Sequence, residues 1–308
     1  MTVADLDIKA QALRTTKEES QFLVVWRRFR KHKLALLGMI IIGLLVSVAV
    51  LAPVIAPHDP LQVLMKERNL GPTPQHWLGT DELGRDVLSR LMFAARISLL
   101  VGFSVTILGE ALGVFIGAIA GYFGGWVDSI LTRFLDFMTT LPGLPLLMVL
   151  GKVLADVSIP FVSRDYSSVV ILVLILTLTG WMGPARLVRG MVLSLKSQDF
   201  TEACRALGVS DWRIIMRHMI PNAMAPIIVS ATLGVGGNIV VESGLSFLGF
   251  GVQLPTPTWG NMLQNVQADM WVAPWKAFYP GLAIFLTSLS FNFMGDGLRD
   301  ALDPRLKM

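Results

Sequence analysis

The feature that most constrains this fold is a run of nineteen uncharged residues at positions 34–52. A helix of that length rises far enough to cross the roughly 30 Å hydrocarbon core of a bilayer. Several more long apolar runs follow it, and only 16% of the 308 residues are charged. A soluble domain carries about 25% charged residues, so this composition excludes an ordinary soluble fold. We therefore expect an all-α, polytopic membrane protein.

The apolar runs divide the chain into six predicted transmembrane helices. The first is residues 34–55, preceded by a polar segment, 1–33, and followed by a polar loop, 56–96. The other five lie in a core of residues 97–296, at 97–121, 130–150, 169–185, 219–241 and 278–295, and a tail, 297–308, follows the core. Because the first run starts late and is long, a cleaved signal peptide is not expected.

The distribution of basic residues predicts which ends of the spans face the cytoplasm. Of the 26 lysines and arginines, 18 fall in segments placed inside and 8 in loops placed outside. Short loops rich in lysine and arginine stay on the cytoplasmic side, so both termini are expected to be cytoplasmic. The loop 56–96 runs against this rule, because it holds five of the eight outside charges.

Glycines recur at intervals of four along the second predicted span. They are Gly109, Gly113, Gly117 and Gly121. Residues at this spacing share one helix face, and small residues there let the backbone of a second helix approach closely. We interpret the row as a helix-packing surface.

Two further features of the predicted spans are candidates for the lining of a pathway. Glu110 lies mid-span, where an ionisable residue costs roughly 2.5–3.5 kcal/mol, so it should face the bundle interior or a cavity. It can line a pathway or pair inside the bundle, and we favour the second. Pro142 and Pro145 should kink or break the third span near its middle, which either borders a pathway or only adjusts packing.

A polar stretch between two apolar runs, residues 199–221, has the pattern of two short helices joined by a turn. Asp199 is the predicted N-cap, with Glu202 reaching back to it. Gly208 falls where the first helix would end in a left-handed residue, and Ser210 can cap the second helix. In that second helix a set of apolar residues follows helical spacing and should share one face: Trp212, Ile215, Met216 and Met219.

The order of residues in this stretch resembles the "EAA" coupling loop of ABC importer permeases. Glu202 and Ala203 are followed six residues after the glutamate by Gly208, and later by Ile220-Pro221. Cys204 departs from the family pattern, which has a small residue there. In that family the loop docks into a groove of a separate cytoplasmic ATPase. The resemblance implies a docking surface made of Glu202, Ala203, Leu207, Gly208, Trp212, Ile220 and Pro221.

Two other segments are similar to permeases of dipeptide, oligopeptide and nickel importers, in particular to their second, C-type, subunit. They are WLGTDELGRDVLSR at 77–90 and GLRDALDP at 297–304. The resemblance extends over nearly everything from residue 22 onward. It implies the transmembrane domain of a type I ABC importer, a multi-pass protein of the bacterial plasma (inner) membrane.

This resemblance also implies partners and cargo. A second, homologous permease would complete the pathway, two ABC ATPases would bind the coupling loops, and an extracytoplasmic solute-binding protein would deliver substrate. ATP and Mg²⁺ would be used by the ATPases, and this chain would bind no cofactor of its own. Di- and oligopeptides are the expected cargo, with nickel or other metal chelates, glutathione-like molecules and oligosaccharides as alternatives.

The chain lacks the signatures of catalysis and of metal binding. It contains no GxxxxGK[ST] phosphate cradle, so it should not hydrolyse ATP itself. Its four histidines are His32, His58, His76 and His218. They form no HExxH pair, and none has a second ligand at metal spacing along the sequence. We therefore predict no catalytic residue and no metal site. The basic cluster before residue 34 marks a cytoplasmic membrane flank rather than a nucleic-acid site.

Two other classes remain open from the sequence. A proton-coupled secondary transporter would use Glu110 as a proton relay and would work without partner chains. A membrane scaffold or sensor would bind partners and move no substrate.

Overall fold

The computed structural model describes residues 21–155, 157, 159–264 and 266–303. Within these residues the regular structure is helical, and they contain no β-strand. This confirms the all-α class. The parts of the predicted N-terminal segment and tail that comprise residues 1–20 and 304–308 lie outside the described residues.

The helices of the described residues are numbered here in chain order. They are α1 Gln21–Phe29, α2 Lys33–Ile55, α3 Val87–Phe123, α4 Gly125–Thr140, α5 Gly143–Leu154, α6 Arg164–Gly180, α7 Met182–Lys196, α8 Asp199–Ala206, α9 Asp211–Ile214, α10 Ile220–Asn222, α11 Met224–Phe247, α12 Trp259–Met262, α13 Val266–Asp269 and α14 Trp275–Leu302. A short 3₁₀ turn, Met65–Glu67, precedes α3, and a π-type turn, Ile215–Met219, joins α9 to α10.

Five helical stretches of the described residues are long and apolar enough to cross a membrane. They are Lys33–Ile55, Val87–Phe123, Tyr166–Lys196, Met224–Phe247 and Trp275–Leu302. The pair formed by α4 and α5 is bent by 86° and makes a sixth span if the two helices are taken as one. The structure thus contains five or six spans where the sequence predicted six.

The second span begins earlier than predicted. The helix α3 starts at Val87 and not at residue 97, so the polar loop ends at 86 instead of 96. Asp86 caps α3, because its carboxylate accepts a hydrogen bond of 2.7 Å from the backbone N–H of Ser89. Arg90, in the first turn of α3, is 2% exposed, and its Nε lies 3.5 Å from Asp81 Oδ2 in the preceding loop. Its charge is therefore buried against the loop and not exposed to solvent.

The third predicted span, 130–150, is interrupted. The helix α4 ends at Thr140, Leu141 is extended with ψ 134°, and α5 begins at Gly143. A residue that precedes proline is pushed towards extended backbone, so Pro142 ends α4 and does not merely kink it. Pro145 lies within the first turn of α5, where a missing N–H costs no hydrogen bond.

The fourth predicted span, 169–185, is too short. The helices α6 and α7 meet at Trp181, and together they reach Lys196. Pro184 lies near the predicted end of this span but in the first turn of α7, where proline is tolerated, so the helix continues.

The last two spans also differ from their predicted bounds. The helix α11 runs over Met224–Phe247 where 219–241 was predicted, and α14 runs over Trp275–Leu302 where 278–295 was predicted. Glu242, the first residue beyond the predicted fifth span, is fully buried inside α11. Its carboxylate accepts hydrogen bonds from the hydroxyls of Ser98 at 3.2 Å and Ser246 at 2.8 Å, and these satisfy it within the bundle.

The bundle has two distinct ends. At one end, which we call the loop end, the segments 56–86 and 248–274 meet, and Trp275 donates from Nε1 to the carbonyl of Thr80 at 3.4 Å. At the opposite end, the hairpin end, residues 199–222 contact the last turn of α3, and Phe29 and Ala301 pack together in one apolar cluster. Both described chain ends therefore lie at the hairpin end.

The loop between α11 and α14 folds back into the bundle. Trp259 is 1% exposed, and its backbone N–H donates to the Ser98 hydroxyl at 3.2 Å. Its indole Nε1 donates to the carbonyl of Leu91, also at 3.2 Å. Because Ser98 also donates to Glu242, the re-entrant loop, α3 and α11 share one hydrogen-bonded centre.

The glycine row of α3 faces the backbone of α6 and α7. A Cβ added at Gly109 would lie 3.4 Å from the carbonyl carbon of Gly180, and one at Gly121 would lie 2.8 Å from the carbonyl oxygen of Arg189. At Gly113 it would lie 2.5 Å from the Cβ of Pro184, and at Gly117 it would overlap the carbonyl of Ala185. We call this contact the glycine seam.

A cationic side chain ties the loop before α3 to the start of α14. Lys276 is 5% exposed, and its Nζ lies 2.7 Å from Asp269 Oδ2 and 2.9 Å from Glu82 Oε2. The hydrogen bond from Lys276 lowers the pKa of Asp269. Burial alone would raise the pKa of Glu82, but the hydrogen bond and charge of Lys276 lower it on balance. Both carboxylates are therefore held charged by the same ammonium group.

The glycine seam predicts a matched pair of stability effects. In Gly113→Leu the side chain has no room against Pro184 and the Trp181 carbonyl, so the bundle should lose about 1–3 kcal/mol through overpacking. Gly190→Leu is the control, because a Cβ there meets nothing within 4 Å. The thermal transition of the purified protein should fall in the first variant and stay in the second. An equal transition in both would contradict the packing role.

The Lys276 contact predicts a local effect in the loop. In Lys276→Met the carboxylates of Glu82 and Asp269 face each other without a cation, so amides of residues 64–85 should exchange hydrogen roughly tenfold faster. The effect is smaller than the cost of leaving a fully buried ion unpaired, because the carboxylates of Glu82 and Asp269 are both partly exposed to solvent. Lys152→Met, an exposed lysine of α5, serves as the control. Unchanged exchange in this loop would show that Lys276 does not hold it.

Candidate functional site

The helices α8 to α10 form a compact hairpin, residues 199–222, at the hairpin end. Its first arm differs slightly from the prediction, because Gln198 occupies the N-cap position and Asp199 is the first helical residue. No side chain caps this helix, so the predicted link between Asp199 and Glu202 is wrong. Gly208 has φ +75°, the left-handed conformation expected after a helix, and the next N–H, that of Val209, donates to the Cys204 carbonyl at 3.0 Å.

The second arm contains a π-type turn that the sequence pattern did not predict. Ser210 occupies the N-cap position of α9, as predicted, although its side chain makes no capping bond. Ile214, Ile215 and Met219 are buried, whereas Trp212 is 52% exposed and Met216 47% exposed. The predicted common face of Trp212, Ile215, Met216 and Met219 is therefore wrong, because the wider turn rotates the residues around the helix axis.

The inner side of the hairpin is fixed to the bundle. The Tyr122 hydroxyl donates to Asp211 Oδ1 at 2.6 Å, and the Arg205 guanidinium lies 5.2 Å from the centre of the Tyr122 ring. The Thr201 hydroxyl donates to the carbonyl of Leu195 in α7 at 2.8 Å. The buried residues of the second arm pack with α3, α7 and α11 in one cluster: Ala118, Tyr122, Val188, Val192, Ile214, Ile215, Met219, Ala223 and Ile227. The hairpin is therefore held against α3, α7 and α11 by hydrogen bonds and apolar packing.

The outer side of the hairpin carries the residues singled out from the sequence. Six of them are exposed and one, Ile220, is half-buried: Glu202, Ala203, Leu207, Gly208, Trp212, Ile220 and Pro221. Leu207 is 83% exposed and Trp212 is 52% exposed. An exposed leucine and tryptophan beside an acidic residue form a surface suited to a protein partner.

Glu110 lies inside the bundle and has one hydrogen-bond partner within the described part of the chain. The Ser230 hydroxyl of α11 donates to its Oε1 at 2.7 Å, and its Oε2 is buried without a partner among the described residues. Pro142 and Pro145 are exposed at the bend between α4 and α5. Among the described residues, no hydrogen bond or ion pair joins Glu110 to this bend. Glu110 thus lies inside the bundle, whereas the two prolines lie on its surface.

Sequence reasoning missed two groups of polar residues. Glu242, Ser98 and Trp259 lie in segments that are distant in the sequence, so no local pattern connects them. No histidine has a second ligand at metal spacing along the sequence, but the fold brings His58 and His76 together with Asp86 at the loop end. Their separation along the chain follows no standard ligand spacing, so only the fold brings them together.

Comparison with known proteins identifies the family. The family of the "binding-protein-dependent transport system inner membrane component" matches residues 113–308, and the "N-terminal TM domain of oligopeptide transport permease C" matches residues 20–72. The chain is 42% identical over 286 residues to the dipeptide transport system permease protein DppC of Bacillus subtilis, covering 92% of this chain and 85% of that protein.

Two further relatives carry a different substrate in their names. Glutathione transport system permease protein GsiD of Escherichia coli O6:K15:H31 is 42% identical over 283 residues, and that of Pectobacterium atrosepticum is 40% identical over 283 residues. Each alignment covers 92% of this chain and 90% of the relative. The chain therefore belongs to the family of binding-protein-dependent transport system inner membrane components, the permeases of ABC importers.

Proposed function

We propose that this chain forms half of the translocation pathway of a peptide importer and that the 199–222 hairpin docks onto a separate ABC ATPase. The observation that carries the proposal is the two-sided character of the hairpin. Its inner side is hydrogen-bonded and packed to the bundle through Tyr122 and Thr201, and its outer side exposes Glu202, Leu207 and Trp212. A rigid, exposed segment of this kind transmits force from a partner to the spans.

The mechanism follows from the contacts of the hairpin. Closure of the ATPases on ATP displaces the docked hairpin, and Tyr122 passes the displacement to α3. The glycine seam couples α3 to α6 and α7, so these helices move as one body. The bundle then alternates between inward- and outward-facing states. ATP stabilises one state and the loaded binding protein the other, because each binds that state more tightly.

The proposed orientation places both termini and the hairpin in the cytoplasm. The described chain ends and the hairpin lie at the same end of the bundle, and the excess of lysine and arginine falls in the same segments. Taking α4 and α5 as one broken span gives an even number of crossings, six, which agrees with termini on one side.

The proposed partners are a second, homologous permease, two ABC ATPases and an extracytoplasmic solute-binding protein at the loop end. Exposed aromatic side chains on α4 support a contact of that helix with a partner protein or with lipid. They include Trp126, Phe134 and Phe137. ATP and Mg²⁺ are used by the ATPases, and this chain supplies coupling and pathway.

The proposed substrates are di- and oligopeptides, with glutathione as the second candidate. One relative is named for dipeptides and another for glutathione, and both are 42% identical to this chain. Glutathione is itself a small peptide, so both names point to short peptides as the substrate class. Specificity among them is assigned to the binding protein.

The coupling role predicts the effect of a charge reversal. Glu202→Lys should reduce peptide uptake at least tenfold, which corresponds to about 1.4 kcal/mol, because the reversed charge disrupts docking on the exposed face. Uptake of labelled dipeptide and co-purification of the ATPases are measured in cells that express the whole importer.

Asp300→Lys is the matched control, because this aspartate is also exposed at the hairpin end but belongs to α14. It should leave uptake and co-purification unchanged. The amount of each variant in the membrane is measured to exclude a failure of insertion. Normal uptake by Glu202→Lys would remove the coupling assignment, whereas uptake driven by a proton gradient without ATP would remove the ABC mechanism.

A further inference from the structure

The loop before α3 brings two histidines and an aspartate together. One potential ligand atom from each of His58, His76 and Asp86 lies within 4.8 Å of the others. Asp86 Oδ1 is 2.9 Å from His76 Nδ1 and 3.8 Å from His58 Nδ1. His76 and Asp86 are buried, and the two imidazole rings are 4.7 Å apart between centres.

The aspartate is held with one oxygen towards the histidines. Its other oxygen, Oδ2, accepts hydrogen bonds of 2.7 Å from both the backbone N–H and the hydroxyl of Ser89. The same hydroxyl accepts from the backbone N–H of His58 at 3.1 Å. The start of α3 therefore fixes Asp86 and His58 relative to each other.

His76 is oriented in the way that metal-binding histidines usually are. Its Nε2 lies 3.0 Å from Glu67 Oε2, so Nδ1 faces Asp86 and His58. Its backbone N–H donates to Thr73 Oγ1 at 3.0 Å, which anchors the residue in the loop. A carboxylate on the outer nitrogen fixes the tautomer of a histidine and raises the basicity of its inner nitrogen.

The feature that hydrogen bonding leaves unexplained is His58. Its Nδ1 is buried and has no hydrogen-bond partner among the described residues. A proton shared between His76 and Asp86 satisfies those two groups but leaves this nitrogen unpaired, at a cost. A cation between the three ligand atoms satisfies all of them at once.

We propose that His58, His76 and Asp86 bind a first-row divalent transition metal ion, with zinc as the representative ion. Two imidazole nitrogens and one carboxylate oxygen are ligands suited to such ions, whereas calcium and magnesium take oxygen ligands. Ligand bonds of about 2.0–2.1 Å place neighbouring ligand atoms roughly 3.3 Å apart. The two distances to Asp86 Oδ1 are 2.9 and 3.8 Å, and all three ligand atoms lie within 4.8 Å of one another, so a bound ion would draw them closer together. A fourth position remains for water.

The metal would connect three parts of the loop end. His58 follows the end of α2, His76 belongs to the loop that contains the 3₁₀ turn, and Asp86 caps α3. A bound ion thereby pins the loop onto two membrane helices. This assignment is independent of the proposed transport function, because it concerns binding and loop order alone.

The test is a zinc titration of the purified full chain in detergent, with an affinity tag free of histidine. Competition against a chromophoric zinc chelator should reveal one tightly bound equivalent per chain. His58→Ala should weaken binding by at least tenfold, and Glu67→Gln by about 10–100-fold, as expected for a carboxylate behind a ligand. His218→Ala, a histidine of the 199–222 hairpin, should leave the zinc affinity unchanged.

A second readout separates coordination from folding. Cobalt(II) should give a visible d–d absorption band at one equivalent in the wild type, and the band should be lost in His58→Ala. The metal-free thermal transition of His58→Ala should lie close to that of the wild type, because His58 Nδ1 has no hydrogen-bond partner among the residues that the structure describes. Absence of a tight equivalent in the wild type, or equal zinc affinity in the wild type and His58→Ala, would overturn the proposal.

Discussion

The close approach of α3 to α6 and α7 is the constraint on which the rest of the structure depends. Glycines replace side chains along the whole seam, so the backbones themselves are in contact at Gly113, Gly117 and Gly121. In lipid there is little hydrophobic force between helices, and van der Waals packing at such contacts drives association. The hairpin contacts the bundle at the end of this seam. Tyr122 follows directly after Gly121, and its hydroxyl donates a hydrogen bond to Asp211 in the hairpin.

The two ends of the bundle use different interactions for different purposes. At the hairpin end, apolar packing and a few hydrogen bonds fix a segment whose outer face stays free for a partner. At the loop end, buried charges are neutralised within the loops, through Lys276 with its two carboxylates and through Arg90 near Asp81. Removing one partner of a buried ion pair leaves an uncompensated charge and is strongly destabilising, so each of these charges depends on its partner in the folded loops.

The sequence predicted those parts of the fold that depend on local patterns. The first span was located within one residue of its start because residues 34–52 are uniformly uncharged, and the glycine spacing predicted a single face of α3. The left-handed turn at Gly208 was also predictable, since only a short-range pattern is involved.

Features that depend on tertiary contacts could not be predicted. The first turns of α3 carry charges that look like a loop until their partners, such as Asp81 for Arg90, are known. Pro142 lies at an 86° bend that breaks a span, whereas Pro184 lies in the first turn of α7 within a single long span. Trp212 and Met216 are exposed although their spacing matches that of the buried Ile215 and Met219, and the histidine pair came together only through the folded loop.

The most direct test of the central claim is a cross-link from the hairpin to the ATPase. In a Cys204→Ala background, Leu207→Cys places a single thiol at a position that is 83% exposed in the wild type. We predict that this thiol cross-links to the ATPase chain and reacts with a membrane-impermeant reagent only in inside-out vesicles. Modification from the outer face of intact cells, without a cross-link to the ATPase, would contradict the account.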